Sequence, residues 1–270
     1  MPATDPLDDF DLETLTLQGV GKPVYRKGRG PGVIVIAEIP GITPEVAGFA
    51  RRVVDAGYTA WMPSLFGVPG APRSQVRMAR TVLHACISRE FAVLARHRSS
   101  PVVDWIRALA RHAHAACGGR GVGVVGMCLT GNFALGTVVE PSVQAPVLSQ
   151  PSLPFAASPW HAAAPHCSPE ALQACRARHA EDGFRVLGLR FACDALSPAA
   201  RFRTLERALG PAFEGITIDN RPGSGSPHPL WAHSVLTNDL IAEEGQPTQA
   251  ALDAVLRLFA DRLPEAPAPG

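Results

Sequence analysis

Short apolar runs recur along the chain at intervals that leave room for a helix between them. Residues 32–37 (GVIVIA), 121–125 (GVGVV) and 185–192 (RVLGLRFA) are nearly continuous in apolar side chains and rich in β-branched ones, as a parallel strand covered on both faces requires. Residues 59–67 (TAWMPSLFG), 144–150 (QAPVLSQ) and 213–219 (FEGITID) read as further strands. Residues 12–28 alternate apolar and polar side chains and break at residues 19–21, which predicts two short antiparallel strands at a sheet edge.

Between these runs the apolar period lengthens to that of a helix. Residues 44–57 have Thr43 placed as N-cap and Gly57 as terminator, and residues 101–116 open at Ser100-Pro101 and close at Gly118 and Gly119. Residues 74–97, 170–181, 198–210 and 249–263 are further helical segments. Strands alternating with helices through right-handed crossovers build a mostly parallel sheet between two helical layers, an α/β three-layer αβα sandwich. Functional loops then gather at the carboxyl ends of the strands. Residues 151–169, rich in Pro, Ala and Ser and without a period, predict a long loop or cap, and residues 264–270 a disordered tail. One domain over residues 1–270 is expected, with its core at about residues 12–263.

Composition narrows the partners. Apolar residues make up 46% and charged residues 18% of the 270-residue chain, with a net charge of +1. That suits a large core and no nucleic-acid partner. The acidic amino terminus lacks the pattern of a signal peptide, and no run approaches the roughly 18 apolar residues of a membrane helix, so a cytoplasmic protein without a membrane partner is expected. The six cysteines (Cys86, Cys117, Cys128, Cys167, Cys175, Cys193) have no paired spacing, which favours thiols over disulfides.

One cysteine has a distinctive setting. Gly126-Met127-Cys128-Leu129-Thr130-Gly131 follows the apolar run at 121–125 and precedes a helical segment, the pattern of a nucleophile elbow with cysteine in place of serine. Small residues flank such a nucleophile because the strand-to-helix turn leaves no room for side chains. The turn lifts the thiol above the sheet at a helix amino terminus, which favours thiolate, and the Leu129 amide becomes an oxyanion donor. A cysteine buried as a small hydrophobe is the competing interpretation.

The acid and base of such an elbow follow the nucleophile in chain order. Asp194, just past the strand at 185–192, lies on the same sheet edge as Cys128, although Asp-Ala-Leu-Ser-Pro is also good turn chemistry. Asp219 is the alternative acid. The loop at 221–233 offers His233, nearer the final helix, and His228 as the alternative base. Glu38 ends the first buried run, where a carboxylate is costly unless partnered. It can accept the thiol proton, hold Cys128 protonated, or pair with an arginine, and the adjacent Ile39 amide can be the second oxyanion donor.

Residues 32–67 resemble the start of dienelactone hydrolases, where a strand, a Glu-Ile pair, a glycine and a helix lead to an Ala-Gly-Tyr turn. Residues 126–131 are similar to that family's cysteine elbow, and Ala232-His233-Ser234 to its catalytic histidine. The resemblance spans roughly residues 30–262. It implies an α/β-hydrolase fold and cofactor-free hydrolysis of a small ester or lactone through an acyl-cysteine. It implies Cys128, Asp194 and His233 as triad, Glu38 as the carboxylate that switches the thiol, and Leu129 with Ile39 as oxyanion hole. Family arginines hold the substrate carboxylate; Arg89, Arg96 and Arg98 lie in a region that could supply one, Arg89 and Arg98 being the expected substrate-binding residues. The position four after the histidine, arginine in the family, is Thr237.

Other functions fit less well. A non-catalytic small-molecule-binding protein on the same fold would share every motif. A serine esterase using Ser88 or Ser149 lacks an elbow at either serine. His112, His114 and Cys117 put at most His114 and Cys117 on one helix face, too few ligands for zinc, so no metal or cofactor is expected. No CxxC, phosphate-binding lysine loop or GxGxxG after the first strand occurs.

Overall fold

The computed structural model describes residues 3–74, 78 and 100–264. The alternating segment forms a hairpin of β1 (Asp11–Leu17) and β2 (Val20–Lys27). Its turn is shorter than the expected break: Gln18 and Gly19 carry it at φ 51° and 76°, the positive angles that match hairpin twist. The unbroken apolar runs become β3 (Gly32–Ile36), β4 (Thr59–Pro63), β5 (Val122–Met127) and β7 (Val186–Phe191), joined by β6 (Val143–Ser149) and β8 (Phe213–Ile218). The eight strands lie in the order β1-β2-β4-β3-β5-β6-β7-β8, and every pairing from β4 to β8 is parallel. The chain steps outward from β3 to β4 and then returns to β5 on the other side, so a switch point, where α/β sheets open a crevice, lies between β3 and β5.

Among the described residues the helices are α1 (Pro44–Asp55), α2 (Pro101–Cys117), α3 (Gly131–Gly136), α4 (Pro159–Ala163), α5 (Pro169–Asp182), α6 (Ala199–Leu209) and α7 (Pro247–Arg262). Thr43 and Ser100 cap α1 and α2, accepting from the Val46 and Val103 amides at 3.4 and 3.3 Å. Side chains alternate across the sheet even where the sequence does not. Val33, Val35, Val125 and Met127 pack on Phe49 of α1 and Phe259 of α7. Ile34, Ile36, Val122 and Val124 pack on Trp105 and Ile106 of α2 and Phe133 of α3. Each fully buried side chain of this kind contributes about 1.5–3 kcal/mol, which fixes the strand ends that carry the polar residues. The architecture is the expected α/β-hydrolase sandwich with its mostly parallel sheet.

Two local expectations change. The helix after Cys128 opens as a 3-10 turn, Cys128–Thr130, and continues only as the six-residue α3, so its dipole lends the thiolate little support. The aperiodic segment after Pro151 contains α4 and is tied down along its length, as described below. Most of the arginine-rich segment at 74–97 and the tail after Pro264 lie outside the described residues. No helix among the described residues is long and apolar enough to cross a membrane.

Candidate active site

At the end of β5 the backbone turns sharply. Cys128 adopts φ 54°, a left-handed conformation that costs a side-chain-bearing residue of order 1–3 kcal/mol and persists only when its surroundings enforce it. The two flanking glycines make the turn possible. A Cβ on Gly126 would sit 2.2 Å from the Thr130 carbonyl oxygen, and one on Gly131 would sit 2.7 Å from Cα of Pro151. Thr130 braces the turn: its hydroxyl accepts from the Met127 amide at 2.9 Å and lies 3.0 Å from the Ile36 carbonyl at the end of β3. Cys128 is left half-buried, while Leu129 and Ile39 are buried. Neither the Leu129 nor the Ile39 amide donates in any turn, loop or cap hydrogen bond of the described residues.

His233 reaches the same point from the loop after β8. Its Nδ1 lies 2.7 Å from Asp194 Oδ2, and Asp194, buried past the end of β7, also accepts from the Leu196 amide at 2.9 Å. The turn chemistry and the histidine contact therefore use different oxygens of one carboxylate. Nε2 of His233 is buried and makes no hydrogen bond of sound geometry. Burial opposes charge on this ring, but the Asp194 hydrogen bond and the neighbouring Cys128 sulfur outweigh it and hold the His233 pKa well above the ordinary imidazole value. The Glu38 carboxylate, the Cys128 sulfur and a ring nitrogen of His233 all lie within 4.8 Å of one another.

Glu38 is buried without an arginine bonded to it among the described residues; neutral donors hold it. Ser234 Oγ donates to Oε2 at 2.7 Å, Thr237 Oγ1 to Oε1, and Gln150 Nε2 lies 3.5 Å from Oε2. Thr237, standing where the family carries arginine, thus binds the carboxylate directly. A guanidinium lies one hydroxyl away: Arg73 donates to Ser234 Oγ at 3.2 Å. Asp239 fixes the histidine loop, accepting from the His233 and Ser234 amides at 2.8 Å each.

The segment at 151–164 abuts the elbow. The Ser152 amide donates to the Cys128 carbonyl at 2.9 Å, and Asn132 of α3 bonds Leu153 and Pro165. Arg201 of α6, fully buried, donates to the carbonyls of Pro151, Pro154, His161, Ala164 and Leu196. Burial pulls its pKa down to about 10, so it stays charged at neutral pH.

The alternatives lie elsewhere. His228 is buried against Phe191, with its pKa lowered by burial. Asp219 is exposed and paired with Arg221 at 2.7 Å. Ser149 is buried at the end of β6 and donates to Gln150. Burial pushes the Cys167 and Cys175 thiols up to about 12, so neither is nucleophilic at neutral pH. His114 Nε2 lies 3.1 Å from the Gly119 carbonyl. Arg89, Arg96, Arg98, Ser88 and Cys86 lie outside the described residues. Thr130, Gln150, Ser234, Asp239, Arg73 and Arg201 went unread in the sequence, where only the elbow's small-residue frame offered a signal.

The strand order, the strained turn after β5 and the side chains converging on it define the class: an α/β hydrolase. The family model of the dienelactone hydrolase family matches residues 20–164. The chain belongs to the dienelactone hydrolase family. Solved structures share the fold. A dienelactone hydrolase candidate from Klebsiella pneumoniae subsp. pneumoniae MGH 78578 is 20% identical, with TM-score 0.62 over 93% of this chain and 98% of that one. A dienelactone hydrolase-like promiscuous phosphotriesterase from metagenomic libraries is 17% identical, with TM-score 0.59 over 94% and 99%. Est1E from Butyrivibrio proteoclasticus is 11% identical, with TM-score 0.57 over 93% and 98%. No curated protein sequence matches the chain.

Proposed function

We propose that this hydrolase cleaves small carboxylic esters or lactones through an acyl-cysteine on Cys128, with His233 as base and Asp194 as its orienting acid. The observation that carries the reading is the geometry itself: Asp194 is 2.7 Å from Nδ1 of a half-buried His233 whose Nε2 has no partner other than the neighbouring Cys128 sulfur of the same cluster. In the first half-reaction the Cys128 sulfur attacks the acyl carbon and its proton passes to His233 Nε2. The carbonyl oxygen takes the negative charge, received by the Leu129 and Ile39 amides. As the intermediate collapses, the bond to the alcohol oxygen breaks and His233 returns the proton to that oxygen. In the second half-reaction His233 takes a proton from water, hydroxide attacks the thioester, and the acid leaves as Cys128 regains its proton.

Glu38 sits where it can take the thiol proton when no ester is bound and so keep the sulfur from idle reaction. Arg73, beside Ser234, supplies the cation that a carboxylate-bearing substrate would meet; acyl compounds with a pendant carboxylate belong in the panel.

Short activated aryl esters and a lactone set, assayed with wild type and Cys128→Ala, test the reading. Turnover by wild type that falls by about 10⁴-fold or more in the variant is the expected result. Equal turnover in both proteins, or none in either, would overturn it.

A further inference from the structure

The cluster at the elbow has a donor set that a proton relay does not exhaust. A thiol, an imidazole nitrogen and a carboxylate oxygen lie within 4.8 Å of one another. His233 Nε2 is buried with no hydrogen bond of sound geometry, its neighbour being the Cys128 sulfur, while Asp194 fixes Nδ1 at 2.7 Å. We propose that Glu38, Cys128 and His233 bind one soft divalent cation, Zn(II), and that its occupancy reversibly shuts off hydrolysis. The inhibitory consequence rests on the function proposed above; the coordination does not.

Zinc accepts this mixture of sulfur, nitrogen and oxygen, with bonds of about 2.0–2.3 Å. Ligand atoms on such a tetrahedron stand about 3.3–3.8 Å apart, so side-chain rotations of about 1 Å close the cluster around an ion. A thiolate ligand selects zinc over magnesium or calcium. Cys128 enters by releasing its proton to solvent.

The surroundings resemble those of a built metal site. Asp194 on Nδ1 supplies the carboxylate-histidine-metal arrangement that orients the ring and raises its basicity. Asp239 holds the His233 backbone, and the elbow holds Cys128. A carboxylate offers about four lone-pair positions, and Ser234, Thr237 and Gln150 occupy three, leaving Glu38 a position for the ion. Three protein ligands leave a fourth for water, so the ion can enter and leave where substrate does. Its bond to sulfur removes the nucleophile, and its bond to Nε2 removes the base.

The full-length protein, freed of metal with a chelator, would be titrated with Co(II) as a spectroscopic stand-in for zinc. Alkylation of Cys128 by iodoacetamide would be followed in parallel at fixed pH with and without Zn(II). The expected result is one cobalt per chain with a sulfur-to-cobalt charge-transfer band, displaced by zinc. Zinc should also slow alkylation and ester turnover together, with both restored by chelator. Cys128→Ser, nearly isosteric, should abolish the band, and Asp194→Asn should weaken binding about 10–100-fold. Glu38→Gln should weaken it as well, with circular dichroism confirming the fold of each variant.

No charge-transfer band in wild type, or stoichiometric binding that survives Cys128→Ser, would overturn the site. Ester turnover without a cobalt band would sink the metal site and leave the hydrolase intact. A band without turnover by the metal-free protein would do the reverse.

Discussion

Asp194 does two jobs with two oxygens: Oδ1 receives the Leu196 amide, and Oδ2 holds His233. Asp194→Asn keeps an oxygen for the turn and loses the charge and the acceptor facing the ring. The fold should survive and kcat should fall about 10²–10⁴-fold, as when a triad acid is made neutral. The same change should lower the His233 pKa, because burial disfavours the imidazolium and the Asp194 hydrogen bond is the largest influence opposing it. The ring then loses its proton at a lower pH than in wild type. An NMR titration of His233 reads this directly; an unmoved pKa would show that Asp194 does not govern the base. At this scale the convergence of Cys128, Asp194 and His233 was legible because each sits at a strand end or in the loop order the fold demands. The network around Glu38 was not: Ser234 and Thr237 lie 196 and 199 positions away, and nothing local marks a loop hydroxyl as the partner of a distant carboxylate.

Between β6 and α5 the chain behaves as a strap rather than a loose cap. Its polar contacts converge on Arg201, which no carboxylate bonds among the described residues and which instead satisfies five backbone carbonyls. The strap's Ser152 amide in turn holds the Cys128 carbonyl. Arg201→Met keeps most of the apolar stem and removes the donors. It should destabilise the protein by about 2–4 kcal/mol, the cost of leaving several buried carbonyls unpaired, and reduce kcat by loosening the elbow. Urea unfolding would check the first effect; an unchanged midpoint would mean that water replaces the guanidinium at no cost. The strands could be read from sequence because two-sided burial demands unbroken apolar runs. The strap could not, since a proline-rich segment without periodicity takes its shape from one arginine on a helix 37–50 positions later. The short α3 was likewise hidden, because apolar residues continue past the point where the helix turns to 3-10 geometry.

The whole molecule has a second tie, far from the elbow. Arg51 of α1 bonds Asp5 at 2.6 and 3.0 Å and Asp9 at 2.7 and 2.9 Å, securing the amino-terminal segment to the sandwich. The Arg51 guanidinium holds both carboxyls below the usual aspartate range. A depressed folded pKa stabilises the protein above the ordinary value of 3.8, and this contribution is lost as pH falls below it. These partly exposed pairs are worth about 1 kcal/mol or less each, so the effect is modest. Stability measured by urea from pH 6 down to 3 should decline in wild type at the acid end, and Arg51→Met should be less stable at pH 6, with the gap beginning to narrow only below about pH 4 and still open at about pH 3. Parallel curves at every pH would contradict this. The parallel sheet between two helical layers followed from strand and helix alternation with right-handed crossovers, whereas an amino-terminal tie made of charged side chains leaves no period to read.

The central claim is that Cys128 carries the acyl group. Intact mass of the protein quenched in acid during turnover of a slow aryl ester, followed by peptide mapping, tests it most directly. Wild type should gain the mass of one acyl group on the peptide containing Cys128, and Cys128→Ala should gain none. An acyl group on any other residue, or turnover by wild type with no adduct under conditions where deacylation limits the rate, would contradict the account.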